Sequence, residues 1–426
     1  MQPPIPPSDL LARDKRHVWH PYTQHGIEDA PLPVRSARGA VLTLEDGREI
    51  VDAISSWWTC LHGHARPELV DALRAQAEQL DHVLFAGATH EPAVKLAEKL
   101  VSIAPRGLTR VFYSDDGSTA VEVALKIAYQ SHVHREEPER RVFVALENGY
   151  HGDTFGAMAV GDPDPFFVTF APLMFRVERV PADTAAIERA LTELGPRAAG
   201  VVFEPMVQGA GGMRIQTPDF VRSVRRACDR FGVPMIADEV MTGFGRTGRL
   251  FACDHAGVSP DLMCIAKGLT GGVYPLSATL ATEHLFEHFV SNDRAKAFFH
   301  GHSFTANPIG CAVALASIAL VEREDVPAKL AHIGAVIERE LRARLSPSAP
   351  IRDLRRIGGI VALDLTGGGS GYLSGDPRRL RQAAIERGVL LRPLGNVLYA
   401  MPPTCTSDEQ CARIAAAMAD VAQLPT

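Results

Sequence analysis

Residues 234–268, PMIADEVMTGFGRTGRLFACDHAGVSPDLMCIAKG, contain two short apolar runs that each end in a charged residue. The first run precedes Asp238 and the second precedes Lys267. Such runs are typical of buried strands in a parallel sheet, and ligands of open α/β sheets bind beyond the carboxyl ends of the strands. We therefore expect Asp238 and Lys267 to project into one crevice. Taken singly, the lysine is equally explained as a surface residue and the aspartate as a strand-end cap.

Strands and helices alternate on both sides of this stretch. Helical spacing of apolar residues begins at Pro67 and returns between the strands as far as Val321. This order predicts an α/β protein with a largely parallel sheet between layers of helices. The further predicted strands are RVFYS (110–114), RVFVAL (141–146), AGVVFEP (199–205) and SATLA (277–281).

Two interruptions divide the chain into predicted domains. AVLTLEDGREIVDA (40–53) predicts two short strands joined at Asp46-Gly47. The polar segment EREDVPAK (322–329) ends the helical pattern, and a terminal helix is predicted from Asp408. We therefore predict a large domain over residues 67–322, flanked by the segments 1–66 and 323–426.

The composition argues against several classes of function. The 426 residues are 46% hydrophobic and 22% charged, as in ordinary globular proteins. The 44 basic and 50 acidic residues are interleaved and give a net charge of −6, so no surface for nucleic acid or an anionic membrane is indicated. The seven cysteines are scattered, and no apolar run is long enough to cross a bilayer. We expect a cytoplasmic protein with reduced thiols and small-molecule partners.

GFGRTG, residues 243–248, matches the G-x-G-x-x-G pattern of dinucleotide-binding proteins and follows a predicted strand. The residues up to Pro260 lack the spacing of an amphipathic helix. Without a helix N-terminus the glycines have nothing to present to a pyrophosphate. We therefore interpret the match as accidental.

HLFEH, residues 284–288, matches the H-x-x-E-H pattern of inverted zinc peptidases. The surrounding TEHLFEHFV is also typical of an ordinary surface helix, and the sequence offers no obvious third ligand. Catalytic zinc needs three protein ligands and an open position, so we expect no metal site here.

Asp238 and Lys267 match the requirements of pyridoxal phosphate. The cofactor needs a carboxylate beside its pyridine nitrogen and a lysine that stores its aldehyde as an imine. Gly117 and Ser118 begin a predicted helix in SDDGSTAVEVALKIA (114–128), where free N–H groups can bind the phosphate, although an ordinary serine N-cap also explains them. Tyr150 follows another predicted strand and offers a ring for stacking, although it is equally explained as a core or loop tyrosine.

Five segments together resemble class III aminotransferases of the fold type I pyridoxal-phosphate superfamily, and the resemblance covers nearly the whole chain. It implies a mainly parallel seven-stranded sheet with helices on both faces, a smaller α+β lobe from both chain ends, and an active site between the two subunits of a homodimer. It also implies that GFGRTG binds no dinucleotide. The segments are DDGSTAVEVALK (115–126), ENGYHGDTFGA (147–157), FEPMVQGAGG (203–212), IADEVMTGFGRTG (236–248) and CIAKGLTGG (264–272).

Within the class, four strings resemble the branch that transfers the amino group of S-adenosylmethionine to 8-amino-7-oxononanoate in biotin biosynthesis. They are RHVWHPYTQ (16–24), AISSWWTCLHGH (53–64), HGHSFTANP (300–308) and LLRPLGNVLYAMPP (390–403). The resemblance implies Lys267 as Schiff-base lysine and proton carrier, Asp238 as pyridine partner, Gly117 and Ser118 at the phosphate, Tyr150 on the ring, Ser303 reaching the phosphate from the neighbouring subunit, and Tyr22, Trp57, Tyr150 and Arg392 at the substrate. Ser303 replaces the threonine usual in this family but keeps the hydroxyl.

The chemistry of these substrates agrees with the implied residues. Both substrates have a carboxylate, which a guanidinium such as Arg392 can bind through two hydrogen bonds, while aromatic walls bury an alkyl chain or an adenosyl group. Alone, Arg392 is more simply explained by a surface ion pair, and Trp57 by core packing.

Three alternatives stay open. Another class III aminotransferase, with an ω-amino acid, a diamine or lysine as donor, would share every cofactor residue. A nicotinamide dehydrogenase and a non-catalytic cofactor-binding protein are the alternatives from other classes.

Overall fold

The computed structural model of the chain describes residues 7–366 and 376–424. Its helices are α1 (Pro7–His17), α2 (Ser55–Trp58), α3 (Pro67–Gln79), α4 (Glu91–Ile103), α5 (Gly117–His134), α6 (Phe155–Val160), α7 (Thr184–Leu194), α8 (Pro218–Phe231), α9 (Glu283–Glu287), α10 (Pro308–Arg323), α11 (Val326–Arg344), α12 (Pro377–Glu386) and α13 (Asp408–Ala422). The segment α2 is a single turn with a left-handed backbone and is treated with the site.

The strands form one large sheet and several small ones. They are β1 (Val34–Arg38), β2 (Val41–Leu44), β3 (Glu49–Asp52), β4 (Leu108–Ser114), β5 (Val142–Leu146), β6 (Val177–Val180), β7 (Ala198–Phe203), β8 (Val207–Gln208), β9 (Arg214–Ile215), β10 (Met235–Asp238), β11 (Leu262–Ile265), β12 (Ser277–Thr282), β13 (Ile351–Ile357), β14 (Ile360–Leu365), β15 (Val389–Leu390) and β16 (Val397–Ala400).

The large sheet has seven strands in the order β4-β12-β11-β10-β7-β5-β6. β12 runs antiparallel to both of its neighbours, and the remaining pairs are parallel. All six predicted strands are present, and the predicted fold class is confirmed. The sequence did not predict the edge strand β6, because Glu178 and Arg179 interrupt its apolar run.

The long helix α5 begins directly after strand β4 and packs across the middle of the sheet. Asp116 caps its first turn by accepting the N–H of Thr119, while the Thr119 hydroxyl interacts with the backbone of Asp116. Val121, Ala124 and Leu125 are buried against the sheet, as their spacing predicted. The cap is therefore Asp116 rather than the Ser118 considered from the sequence.

The small sheets join distant parts of the chain. The predicted hairpin of β2 and β3 is present, with Val41 opposite Val51. β15 lies parallel to β3 and places Val389 opposite Val51, so the first and last parts of the chain share one sheet. β13, β14 and β16 form a second antiparallel sheet. The domain boundaries at residues 67 and 322 stay a prediction, and part of the segment 323–426 lies outside the described residues.

The two accidental motif matches lie in different settings. GFGRTG forms turns, and no α-helix begins between it and Pro260 in this fully described stretch. The buried carboxylate of Glu239, before the motif, accepts the N–H groups of Ala252 and Cys253, after it, at 2.9 and 2.8 Å. HLFEH overlaps α9 and ends at its C-cap, His288, which contacts the Ser131 hydroxyl at 2.7 Å. Within residues 7–366 and 376–424, no cluster of three potential metal ligands is found, and no helix is long and apolar enough to cross a membrane.

Candidate active site

A cavity of about 680 Å³ lies beyond the carboxyl ends of the central strands. Five of the residues proposed from the sequence line it, namely Gly117, Ser118, Tyr150, Asp238 and Lys267. Tyr22, Trp57 and Arg392 form a chain of contacts that leads outward from Tyr150 in its wall, whereas Ser303 does not line it.

Asp238 ends strand β10, and its buried carboxylate is fixed by two donors. Nδ1 of His151 donates to Oδ2 at 2.7 Å, and the N–H of Val240 donates to Oδ1 at 3.0 Å. Burial alone would lower the pKa of His151, but its hydrogen bond to Asp238 and its charge interactions with Asp238 and Glu204 together outweigh burial and raise that pKa. The short hydrogen bond from His151 fixes the orientation of the carboxylate, and a carboxylate in this position suits a pyridinium partner.

Glu204 lies at the end of the neighbouring strand β7 and is also buried. Its carboxylate accepts the N–H groups of Tyr150 at 3.1 Å and of Gly209 at 2.8 Å. Burial raises the pKa of Glu204 to about 7, against the opposing charge of His151. Glu204 thus fixes the backbone beside the Tyr150 ring, and it is held near the point of ionisation at neutral pH.

Lys267 follows strand β11, and its backbone is left-handed with φ of 45°. Desolvation lowers the pKa of Lys267 to about 8, although the charge of Asp238 acts in the opposite direction. The amine lies 4.7 Å from the centre of the Trp58 ring. Among the described residues no carboxylate forms an ion pair with it. An amine with this pKa can act as nucleophile and as general base near neutral pH.

The N-terminus of α5 fits a phosphate. Within the described part of the chain no group accepts the N–H of Gly117 or of Ser118, so both remain available to an anion. A Cβ on Gly117 would lie 2.5 Å from a methyl group of Val240, so only glycine permits this close approach. The Ser118 hydroxyl contacts that of Thr154 at 2.8 Å and accepts the Thr154 N–H. These groups and the Asp238–Lys267 pair fit pyridoxal phosphate.

Two tyrosines meet at the mouth of the cavity. The hydroxyl oxygens of Tyr22 and Tyr150 lie 3.0 Å apart, and both hydroxyls donate to Asp153. The Tyr150 ring stacks on Phe167, and the Tyr22 ring meets Trp57 edge-on at 5.5 Å. Burial raises the pKa of Tyr150, so its hydroxyl stays neutral. The contacts connect the cofactor side of the site with the aromatic wall around Trp57.

The turn α2 places two neighbouring tryptophans at two different parts of the site. Trp57 packs under the guanidinium of Arg392 at 4.2 Å, and Trp58 faces the amine of Lys267. The four residues have φ values of 49°, 45°, 75° and 72°, which is a left-handed turn without glycine. Strained backbone of this kind concentrates at functional sites.

Ser303 lies in the loop before α10 and is exposed. Its neighbour His302 lies 3.5 Å from the carboxylate of Asp115, which lines the cavity. The expectation that Ser303 reaches the phosphate of a neighbouring subunit stays a prediction.

Sequence reasoning did not assign roles to His151, Asp153, Glu204 or Trp58. The rule for strand ends could have predicted a role for Glu204, because it follows strand β7 in the segment FEP much as Asp238 ends β10. His151, by contrast, is adjacent to Tyr150 in a loop, and no periodicity shows which way a loop side chain points.

The comparisons with known proteins agree with this geometry. Residues 22–422 match the family model for aminotransferase class-III. The adenosylmethionine-8-amino-7-oxononanoate aminotransferase of Synechococcus elongatus is 48% identical over 95% of this chain and 98% of the relative. The solved enzyme of the same name from Methanocaldococcus jannaschii DSM 2661 superposes with a TM-score of 0.91 at 33% identity, covering 97% of this chain and 98% of that chain.

A second solved relative is an amine transaminase from an uncultivated Pseudomonas species in the PLP-bound form. It has a TM-score of 0.89 and 32% identity, and the match covers 96% of this chain and 98% of that chain. Both the family match and the relatives extend over most of the sequence. The chain therefore belongs to the class III aminotransferases.

Proposed function

We propose that this aminotransferase uses pyridoxal phosphate to transfer the amino group of S-adenosylmethionine to 8-amino-7-oxononanoate, giving 7,8-diaminononanoate. The family and the solved relative in the PLP-bound form support the cofactor, and the names of the relatives support the substrates. The observation that carries the proposal is the turn α2, because it connects the amine of Lys267 to the guanidinium of Arg392 through adjacent tryptophans. A substrate with a reacting group at one end and a carboxylate at the other needs a site that binds both ends in this way.

In this proposal the residues at the cofactor end have separate roles. Lys267 holds the cofactor, Asp238 lies against its pyridine nitrogen, and Gly117 with Ser118 binds its phosphate. When bound, the cofactor withdraws the electron pair of the breaking C–H bond into its protonated ring. Tyr150 covers the ring.

Lys267 is also the proton carrier. Once the donor amine has replaced it, Nζ takes the proton from the carbon that bears the donor's amino group. In the second half-reaction Nζ delivers a proton to the former ketone carbon of the acceptor. The lowered pKa of Lys267, about 8, suits both directions of transfer.

Arg392, Trp57 and Tyr22 form the substrate end. The guanidinium binds the carboxylate, while the two rings cover the alkyl chain or the adenosyl group. The hydroxyl of Tyr22, which donates to Asp153 at 2.7 Å, keeps that ring in place.

The decisive experiment follows the visible absorption band of the bound cofactor. We expect S-adenosylmethionine to abolish the band, and 8-amino-7-oxononanoate to restore it while 7,8-diaminononanoate appears by mass spectrometry. Loss of the band with lysine alone would overturn the proposed donor. An unchanged band with every amine would overturn the proposed function as a whole.

We also propose a homodimer in the cytoplasm. Phe299 and Phe304, which flank Ser303, are 79% and 54% exposed, and a second copy of the chain would cover them. The seven cysteines are free, which suits a reducing compartment. Light scattering should give twice the chain mass. Ser303→Ala should weaken cofactor binding and Ser303→Thr should preserve it, whereas equal affinity in both variants would contradict the role of the hydroxyl.

A further inference from the structure

The left-handed turn α2 needs support from outside itself. Its backbone closes through the N–H of Trp58, which donates to the carbonyl of Ile54 at 2.8 Å, and the N–H of Thr59, which donates to the carbonyl of Ser55 at 3.0 Å. Left-handed backbone is unfavourable for every residue except glycine, because Cβ approaches the carbonyl oxygen. These two hydrogen bonds, with a third from the N–H of Cys60 to the carbonyl of Ser55 at 3.0 Å, do not offset this over four residues, so other contacts must hold the turn.

One set of contacts holds the half that carries Trp58. The buried guanidinium of Arg246 donates to the carbonyl of Trp58 at 3.1 Å, and the indole N–H of Trp58 donates to the hydroxyl of Tyr399 at 3.0 Å. The hydroxyl of Ser55 donates to the carbonyl of Met401 at 2.8 Å. These partners adjoin the wall of the cofactor cavity.

A separate pair holds the half that leads to Trp57. The fully buried carboxylate of Asp52 accepts the N–H of Ile54 at 3.2 Å and the hydroxyl of Ser56 at 2.8 Å. Nε2 of His64 donates to the same carboxylate at 2.9 Å and lies 3.4 Å from the Ser56 hydroxyl. Neither Asp52 nor His64 lines the cavity. The pair therefore contacts the turn itself rather than the cavity.

We propose that Asp52 and His64 are positioning residues, whose buried pair keeps the turn left-handed and thereby holds the Trp57 ring under Arg392. This inference rests on the proposed function, in which Arg392 binds the substrate carboxylate. His64 is the better residue to test, since its side chain is 14% exposed whereas that of Asp52 is inaccessible. The pair acts on substrate binding rather than on proton transfer.

The test compares KM and kcat for 8-amino-7-oxononanoate in the dimeric, cofactor-loaded enzyme. We expect His64→Ala to raise KM about tenfold, with kcat changed less than about threefold. His64→Gln keeps a donor for Asp52 and should restore most of the affinity. The matched control is His332→Ala, because His332 forms a pair of the same kind with Asp408, also at 2.9 Å, but on the surface.

A double-variant cycle separates positioning from stability. If His64 acts through Trp57, His64→Ala combined with Trp57→Ala should have the KM of Trp57→Ala alone. An unchanged KM in His64→Ala, or fully additive effects in the double variant, would overturn the inference even if the variant melts earlier. Should His64→Ala not fold, the same cycle is run with His64→Gln, and a smaller non-additive rise in KM is expected.

Failure of the proposed function gives a different result. If the wild-type enzyme does not convert 8-amino-7-oxononanoate, wild type and His64→Ala are compared with lysine as donor. The quantity measured is then the lysine concentration that reduces the cofactor band by half. Lysine also has a carboxylate for Arg392, so the same rise is expected in His64→Ala, and its absence overturns the inference.

Discussion

We assign Lys267 and Arg392 to two ends of one site, and the chain supports these two ends by different means. At the cofactor end, Asp238, Lys267 and Gly117 come directly from strand ends and a helix start in the large sheet. At the substrate end, Arg392 and the turn α2 come from irregular segments far apart in the sequence. Regular elements place the reacting groups, whereas strained and non-local contacts place the groups that select the substrate.

The two ends of the site also differ in the conformational and desolvation energy that they cost. A left-handed residue other than glycine costs about 1–2 kcal/mol, so the four residues of α2 together cost several kcal/mol. The cofactor end has a smaller strain at Lys267 and instead has the cost of desolvating its amine. Several weak contacts hold the substrate end, so single substitutions there should reduce activity gradually. The cofactor end depends on single groups, so the loss of one of them should nearly abolish activity.

Removal of the Lys267 amine tests whether the loss of one group at the cofactor end abolishes activity. We expect Lys267→Ala to lower kcat by about 10⁴-fold or more, because both the cofactor attachment and the proton carrier are lost. Borohydride should no longer link the cofactor to the protein. Lys329→Ala, which removes an exposed partner of Glu324, is the control and should leave both readouts unchanged. Wild-type turnover in Lys267→Ala would refute the assignment.

The carboxylate of Asp238 should have the next largest effect. Asp238→Asn removes the acceptor of His151 and the partner of the pyridine nitrogen, so we expect kcat to fall roughly a thousandfold and the cofactor band to shift. Asp261→Asn is the matched control, because Asp261 accepts the Met235 N–H at the opposite end of the same strands. That control should lower the melting temperature without changing the band. Equal activity of the two variants would contradict the role of Asp238.

Arg392 tests the substrate end. Arg392→Ala should raise KM for 8-amino-7-oxononanoate about a hundredfold, with a smaller change in kcat, because a desolvated carboxylate loses its partner. The cofactor band should be unaffected in the absence of substrate. Arg387→Ala, which breaks an exposed pair with Asp420, should leave KM unchanged. A fall in kcat with constant KM would move Arg392 from binding to catalysis.

The sequence predicted the cofactor end far better than the substrate end. Periodicity located β10 and β11, and the rule for strand ends then placed Asp238 and Lys267 in one crevice. No such rule applies to Trp57 and Arg392, for which resemblance was the main evidence. The left-handed form of α2 depends on Asp52, His64 and Arg246, and local propensity opposes it. Only tertiary contacts decide such a conformation.

The smallest expected effect is on how the free energy of unfolding of the cofactor-free protein depends on pH. Lys267 at the cofactor end and His64 at the substrate end should contribute to it with opposite signs. Desolvation lowers the pKa of Lys267 from 10.5 to about 8, so between these values the unfolded chain holds a proton that the folded chain lacks. Its contribution to the free energy of unfolding therefore rises with pH. Burial would lower the pKa of His64, but its interactions with Asp52 and Cys60 together raise it from 6.5 to about 10. That stabilisation is complete below pH 6.5 and is lost as the pH rises through 10.

Urea unfolding of wild type, Lys267→Met and His64→Gln at pH 7, 8, 9 and 10 separates the two contributions. Wild type should gain about 1–3 kcal/mol relative to Lys267→Met between pH 8 and 10, and should lose a similar amount relative to His64→Gln. The signs differ because burial makes Lys267, which has no ion-pair partner among the described residues, release its proton more easily, whereas His64 is paired with a buried carboxylate and holds its proton more tightly. Parallel curves for all three proteins would mean that neither end depends on its charge.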